Sequence, residues 1–197
     1  MARKKQVGRR VEGWKAKKWY RVHVPESFGK TEIGDTITAD PENLVGRVMT
    51  ATLAEVVQDY SKSHIKMKFK INNVAGESAY TEFVGHEVTR DYLRSLVKRR
   101  TSRVDTTMPV ITKDRKKLRL TVVCLTLSRA EQSQIHAIRL AIMQQIAARA
   151  AESDLETMVK DIMSGDLSRD LFKAVKTIYP VRRIEVTKSK IERIAAV

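Results

Sequence analysis

The chain has 197 residues, 42% hydrophobic and 31% charged, with 38 Lys and Arg against 23 Asp and Glu, giving a formal net charge of +15. The apolar share suffices for a core, and the cationic excess makes polyanions, nucleic acid first, the natural partners, with anionic membrane or acidic protein as other candidates. No run approaches the roughly 20 apolar residues of a membrane span, no apolar stretch follows the basic N-terminus as in a secretory signal, and the single cysteine, Cys124, has no partner for an internal disulfide.

Residues 1–18 carry Arg3, Lys4, Lys5, Arg9, Arg10, Lys15, Lys17 and Lys18 against one acid, Glu12, with Gly8 and Gly13 between them. A segment this poor in aliphatic side chains does not offset its ordering entropy, so it is expected to be a disordered basic tail that orders on a polyanion. Trp14 lies inside that run and is read as an RNA or anchoring contact, since an indole stacks on an unpaired base or an arginine. Trp19 is read instead as the first core residue of a sheet.

Residues 19–127 are mainly β in pattern. Residues 20–24 alternate and stop at Pro25, residues 33–39 form a short strand, and residues 46–56 alternate loosely, with Val48 and Leu53 expected in the core. Ile65, Met67, Phe69 and Ile71 alternate with Lys66, Lys68 and Lys70, the cleanest period-two signal in the chain. A turn is expected over Asn72, Asn73, Ala75 and Gly76, with 79–84 as the return strand. Residues 104–111 and 118–127 read as a second hairpin with its turn at Lys113-Asp114-Arg115-Lys116. Between these lies a helix with Thr89 as N-cap, an apolar stripe of Tyr92, Leu93, Leu96 and Val97, and a basic end at Lys98-Arg99-Arg100 that suits the negative end of the helix dipole.

From residue 128 the period becomes helical. Ser128 with Glu131, and Ser153 with Glu156, are capping pairs, and Ile135, Ile138, Ile142 and Ile146 share one face. Gly165 closes the second helix, and Leu171, Val175 and Ile178 mark a third, ended by Pro180. Residues 181–187 alternate as a last strand. Residues 152–170 are locally acidic, a region that faces either solvent or a basic neighbour. The fold class expected is α+β: a mostly antiparallel, barrel-like sheet with flanking helices. The organisation expected is a tail over 1–18 and one globular domain over 19–197, β-rich to 127, helical over 128–178, with the final strand and C-terminal tail over 180–197.

Enzyme templates are weak here. Gly29-Lys30-Thr31 resembles the end of a phosphate loop but has no glycine five residues before Gly29, and His64 and His86 lack zinc-motif spacing. No catalytic residue, metal site or cofactor is expected. The cations point elsewhere. Lys66, Lys68 and Lys70 stand about 6.5–7 Å apart on one strand face, which suits successive phosphates and equally suits an edge-protecting lysine face. Further clusters are Arg94, Lys98, Arg99, Arg100 and Arg103; Lys113, Arg115, Lys116, Lys117 and Arg119; and Arg182, Arg183, Lys188, Lys190 and Arg193. The residues taken as RNA-binding are Lys4, Lys5, Arg9, Arg10, Trp14, Lys15, Lys17, Lys18, Arg21, Lys66, Lys68, Lys70, Lys98, Arg99, Arg100, Lys116, Lys117, Arg182 and Arg183. With no zinc finger, helix-turn-helix or RNP motif, they suit reading of RNA backbone and shape.

Lys17-Lys18-Trp19-Tyr20 followed by Val24-Pro25 and Phe28, then Gly46-Arg47-Val48, Leu53-Ala54 and Phe69-Lys70-Ile71, occur in an order that resembles the archaeal and eukaryotic small-subunit ribosomal protein family S3Ae, or eS1. Gly85, Thr89-Arg90-Asp91 and Ile178-Tyr179-Pro180 are similar again, so the resemblance runs over residues 17–187. It implies a cytoplasmic structural component of the small subunit's platform, near the messenger exit and the 3′ end of the small-subunit RNA, with a partly closed barrel and no catalytic residues. Its implied partners are small-subunit ribosomal RNA and neighbouring platform proteins, with messenger RNA or initiation factors as further candidates. The end at Val197 suggests the archaeal type, since eukaryotic members continue further. An independent chromatin or regulatory nucleic-acid-binding protein is the alternative reading.

Overall fold

The computed structural model describes residue 14 and residues 17–192. The chain divides into two compact units, Met1–Met49 with Phe69–Phe83, and Thr50–Lys68 with Val84–Val197.

In the first unit, β1 (Lys18–His23) and β2 (Glu32–Thr38) form an antiparallel hairpin, while β1 runs parallel to the start of β5 (Ser78–Val88). Alternation puts Tyr20 and Val22 of β1 inward, where they join Leu44, Ile71 and Ala79 in one core cluster. Phe28 meets Phe69 and Phe83 with ring centroids 6.0 and 5.7 Å away, the edge and tilted geometries that aromatic quadrupoles favour. Trp19 is not the first core residue: it is 59% exposed, because the inward positions of β1 are Tyr20 and Val22 and the indole stands on the other face. Val48 likewise opens β3 (Val48–Thr52) pointing outward.

The second unit holds most of the helical structure. Residues read as one loose strand divide into β3 and a short helix, α1 (Leu53–Val57), because Thr52 and Glu55 form a reciprocal capping box that starts a helix there. The first strand of the hairpin expected over residues 65–84, β4 (Ile65–Ala75), is longer than expected: Asn72 and Asn73 stay in the strand and the turn falls at Gly76-Glu77. Helix α2 (Arg90–Leu96) follows Thr89, and then β6 (Arg103–Ile111) and β7 (Lys117–Thr126) pair antiparallel as the expected hairpin. Helix α3 (Gln132–Glu152) starts one capping unit later than read, on Glu131 with Gln134, while Ser128 bonds the Tyr179 hydroxyl at 2.7 Å. Helix α4 (Leu155–Ser164) starts after Asp154 and ends on Gly165, whose φ of 87° is the left-handed conformation glycine accepts without cost. Helix α5 (Asp166–Lys176) buries Leu167, Leu171 and Val175; Ile178 lies beyond it, exposed. The last strand, β8 (Val181–Glu192), pairs with β7 along its length and with β5 at residues 85–87.

Leu118, Leu120, Val122 and Cys124 of β7 are fully buried on the inward face. In this unit α3 packs on β6 and α5 on β8, so Ile138, Ile142 and Ile146, all 0% exposed, each contribute about 1.5–3 kcal/mol of burial. On β7's outward face only Val123 and Leu125 are covered, by Leu96 and Tyr92.

The α+β class holds, but the barrel does not form. The strand order is β2-β1-β5-β8-β7-β6, with β4 on β5 and β3 on β4. Closure requires the outermost strands to pair, and β2 and β6 end the order with no further partner among the described residues. No helix among the described residues is long and apolar enough to cross a membrane.

Candidate nucleic-acid interface

The register of the second unit assembles one basic face from residues scattered over the sequence. Arg119 of β7 lies opposite Lys190 of β8, and Lys190 lies opposite Gly85 of β5; the next row carries Thr121, Lys188 and Glu87. Directly opposed residues share a sheet face, so all of these point away from the side that α3 and α5 cover. Lys68 of β4 joins them, its ammonium 2.7 Å from Glu87, and Lys66 follows two residues earlier on the same strand face. Lys117 and Arg119 close the other side, 3.5 and 2.8 Å from Glu192. Six cations thus surround two carboxylates on one sheet face with rows about 6.5–7 Å apart along each strand.

The two carboxylates are already committed. The Lys68 hydrogen bond, with burial working against it and the charges of Lys68, Lys188 and Arg90 adding, holds the Glu87 carboxyl below its ordinary range. Lys66, Lys188 and Lys190 have no ion-pair partner among the described residues and remain available to phosphate. Such a surface neutralises a polyanion by position and charge without reading bases.

The residues taken from sequence divide accordingly. Lys4, Lys5, Arg9, Arg10 and Lys15 lie outside the described residues. Trp14 is exposed, with the Lys17 ammonium 4.8 Å above its ring. Lys18 is exposed on β1, and Arg21 reaches Glu32 at 4.0 Å. Lys66, Lys68 and Lys70 do alternate with buried Met67, Phe69 and Ile71, but Lys68 is paired. Lys98, Arg99 and Arg100 are exposed but follow α2 rather than ending it: the helix stops at Leu96, so the dipole reading belongs to Arg94 in its last turn. Arg182 donates to the Leu96 carbonyl at 3.2 Å and so closes the end of α2. Arg183 is bound to Glu185 at 2.6 Å and lies 5.6 Å from the Tyr92 ring, which itself stacks on His64 at 4.0 Å. Lys116 sits exposed at the β6–β7 turn with Lys113 and Arg115. That turn and the residue 98–100 loop flank opposite ends of β6, roughly 27 Å apart along the strand, so they are separate basic patches.

In the sequence Arg119 belongs to one cluster and Lys188 and Lys190 to another. What joins them is the pairing of β5, β8 and β7, including the irregularity at Thr187 that shifts Lys188 onto Thr121. Three of the six acids of the 152–170 stretch are paired within the chain: Asp161 accepts from Arg149 at 2.7 Å, Asp166 pairs with Arg169, and Asp170 lies 3.6 Å from Lys173. No group of His, Cys, Asp and Glu among the described residues could hold a metal ion.

Comparison with known proteins adds a consistent set of likenesses. The model of the Ribosomal S3Ae family matches residues 5–194. A protein of Methanoculleus marisnigri named small ribosomal subunit protein eS1 is 78% identical over 197 residues, covering 100% of both chains. Proteins of the same name from Methanosphaerula palustris and Methanoregula boonei are 63% and 59% identical, covering 98% and 100% of this chain and 97% and 98% of their own.

Proposed function

The chain belongs to the Ribosomal S3Ae family, and on that premise we propose that it is a structural constituent of the small ribosomal subunit, binding small-subunit ribosomal RNA and neighbouring proteins. The observation that carries this is the 78% identity, end to end, with a protein named for that subunit. The basic sheet face supplies the matching chemistry. The role is assembly rather than turnover, exercised in the cytoplasmic ribosome.

The finer placement is on the subunit's platform, near the messenger exit, with messenger RNA or initiation factors passing within reach. In this arrangement the globular part positions itself by shape. The basic segment 1–18, the half-buried Lys70 and the exposed cations Lys17, Lys18, Lys66, Lys98, Arg99, Arg100 and Lys116, joined by Lys188 and Lys190, neutralise phosphates. If about 6–10 phosphates are engaged, affinity for the RNA falls roughly 10³–10⁵-fold between 50 and 200 mM salt. Binding of the purified chain to small-subunit ribosomal RNA across a salt series tests this; a flat salt dependence would remove the phosphate contacts from the account.

A further inference from the structure

In the first unit the outward face of β1 carries Trp19, Arg21 and His23 in alternate positions, while Tyr20 and Val22 between them are 5% and 0% exposed. The parallel pairing with β5 sets Tyr80 beside His23, with ring centroids 5.9 Å apart and planes tilted by 31°. Trp19 is 59% and Tyr80 47% exposed. Two large rings left in water on one sheet face forgo burial that the core would have given them, which marks a surface that something covers. Their spacing says what. From Trp19 to Arg21 and from Arg21 to His23 the strand advances about 6.5–7 Å each time, close to one step of an extended nucleotide chain. Trp19 and His23 thus stand about 13–14 Å apart, two such steps with a cation midway, which suits the bases of alternate nucleotides with a phosphate between them. The acids on this face are Glu32, 4.0 Å from Arg21, and the exposed Asp35 and Glu82. They flank the line of the three β1 side chains without interrupting it.

We propose that the outward face of β1 and β5 is a stacking platform for single-stranded RNA, taking one base on Trp19, the base two nucleotides along on the His23–Tyr80 pair, and a phosphate between them on Arg21. This rests on the RNA-binding reading above and adds to it a second mode of contact. The lysine face of the other unit meets phosphates of any RNA, whereas rings take unpaired bases only.

The chain has two tryptophans, so the full chain carrying Trp14→Phe leaves Trp19 as the only indole reporter. A short oligoadenylate is titrated in at physiological salt, with binding followed by anisotropy of labelled RNA and stacking by Trp19 emission. A short RNA duplex is titrated in parallel. The platform predicts saturable quenching by the single strand and binding without quenching by the duplex. It predicts a loss of single-strand affinity of about 5- to 150-fold for Tyr80→Ala and for Trp19→Ala, and near-normal affinity for Trp19→Phe. Circular dichroism of each variant shows that the fold is kept, and Tyr80→Ala serves should Trp19→Ala not fold. Binding with Trp19 emission unchanged, equal quenching by the duplex, or unaltered affinity of Tyr80→Ala overturns the platform and leaves the ribosomal reading standing. Failure of both RNAs to bind would overturn the RNA-binding reading and the platform with it.

Discussion

Gly85 and Ser189 approach so closely across β5 and β8 that a Cβ added to the glycine would lie 2.2 Å from the serine's carbonyl oxygen. The contact is to backbone, so no side-chain rotation relieves it. Gly85→Ala is expected to push β5 from β8 and destabilise the unit by about 1–3 kcal/mol. At about 2–4 °C per kcal/mol for a chain of this size, a melting experiment resolves the loss. An unchanged Tm would mean that the two strands separate more easily than this packing allows.

The neighbouring His86 gives the unit a dependence on pH. The Ser189 hydroxyl donates to Nδ1 at 2.5 Å, and the Val186 carbonyl, which can only accept, takes the Nε2 proton at 3.0 Å. The ring is thus held neutral, and burial pushes its pKa from 6.5 down to about 4. In the unfolded chain the imidazole takes a proton near pH 6.5; in the fold it resists until about 4. The stability this represents is fully present above the unfolded value and is lost as pH falls through that window, amounting to roughly 3 kcal/mol. Burial also lowers the pKa of His64 and works in the same direction, so the comparison needed is with His86→Gln. The stability gap between the chain and that variant should narrow on moving from neutral pH into the acid end of the window, read from urea midpoints. A gap of constant size would contradict the assignment.

Cys124 is 0% exposed, and burial pushes its thiol up to about 12. Only the thiolate reacts at a useful rate. A mildly alkaline solution of a disulfide reagent should leave the native chain unlabelled and modify one thiol per chain once denaturant is added. Rapid labelling without denaturant would show that β7 is not covered as described.

Lys188 and Lys190 are expected to contribute to RNA affinity through charge alone. Replacing both by alanine should reduce the slope of log affinity against log salt by roughly 1.4–1.8, at 0.7–0.9 per phosphate contact, with little change in preference among RNA sequences. Arg169→Ala, which removes a cation already paired with Asp166 on α5, should leave the slope where it was. Equal effects of the two changes would mean that net charge, not this face, governs binding.

Much of this was visible in the sequence, for identifiable reasons. The alternation in β4 and the hairpin of β6 and β7 were readable because one face of each is buried, and period-two burial leaves a period-two sequence. Gly165 as a helix end was readable because a left-handed backbone selects glycine. Trp19 was misplaced because an aromatic residue at a strand start looks the same whether it faces the core or awaits a partner. Residues 48–52 of the loose alternation over 46–56 do form a strand, but from Leu53 a capping box starts a helix instead. The barrel expectation failed because closure depends on which strands become edges, and no local pattern records that. The basic face was legible only in fragments, since Lys66 and Lys68 meet Lys188 and Lys190 through the pairing of strands more than a hundred residues apart in the chain.

The most direct measurement of the central claim is sedimentation of the tagged native chain from cell extract across a salt series, with small-subunit RNA followed in the same fractions. Stoichiometric co-migration with the small subunit, lost only at high salt, is the expected result. Migration as a free protein, or with DNA, at low salt would contradict it.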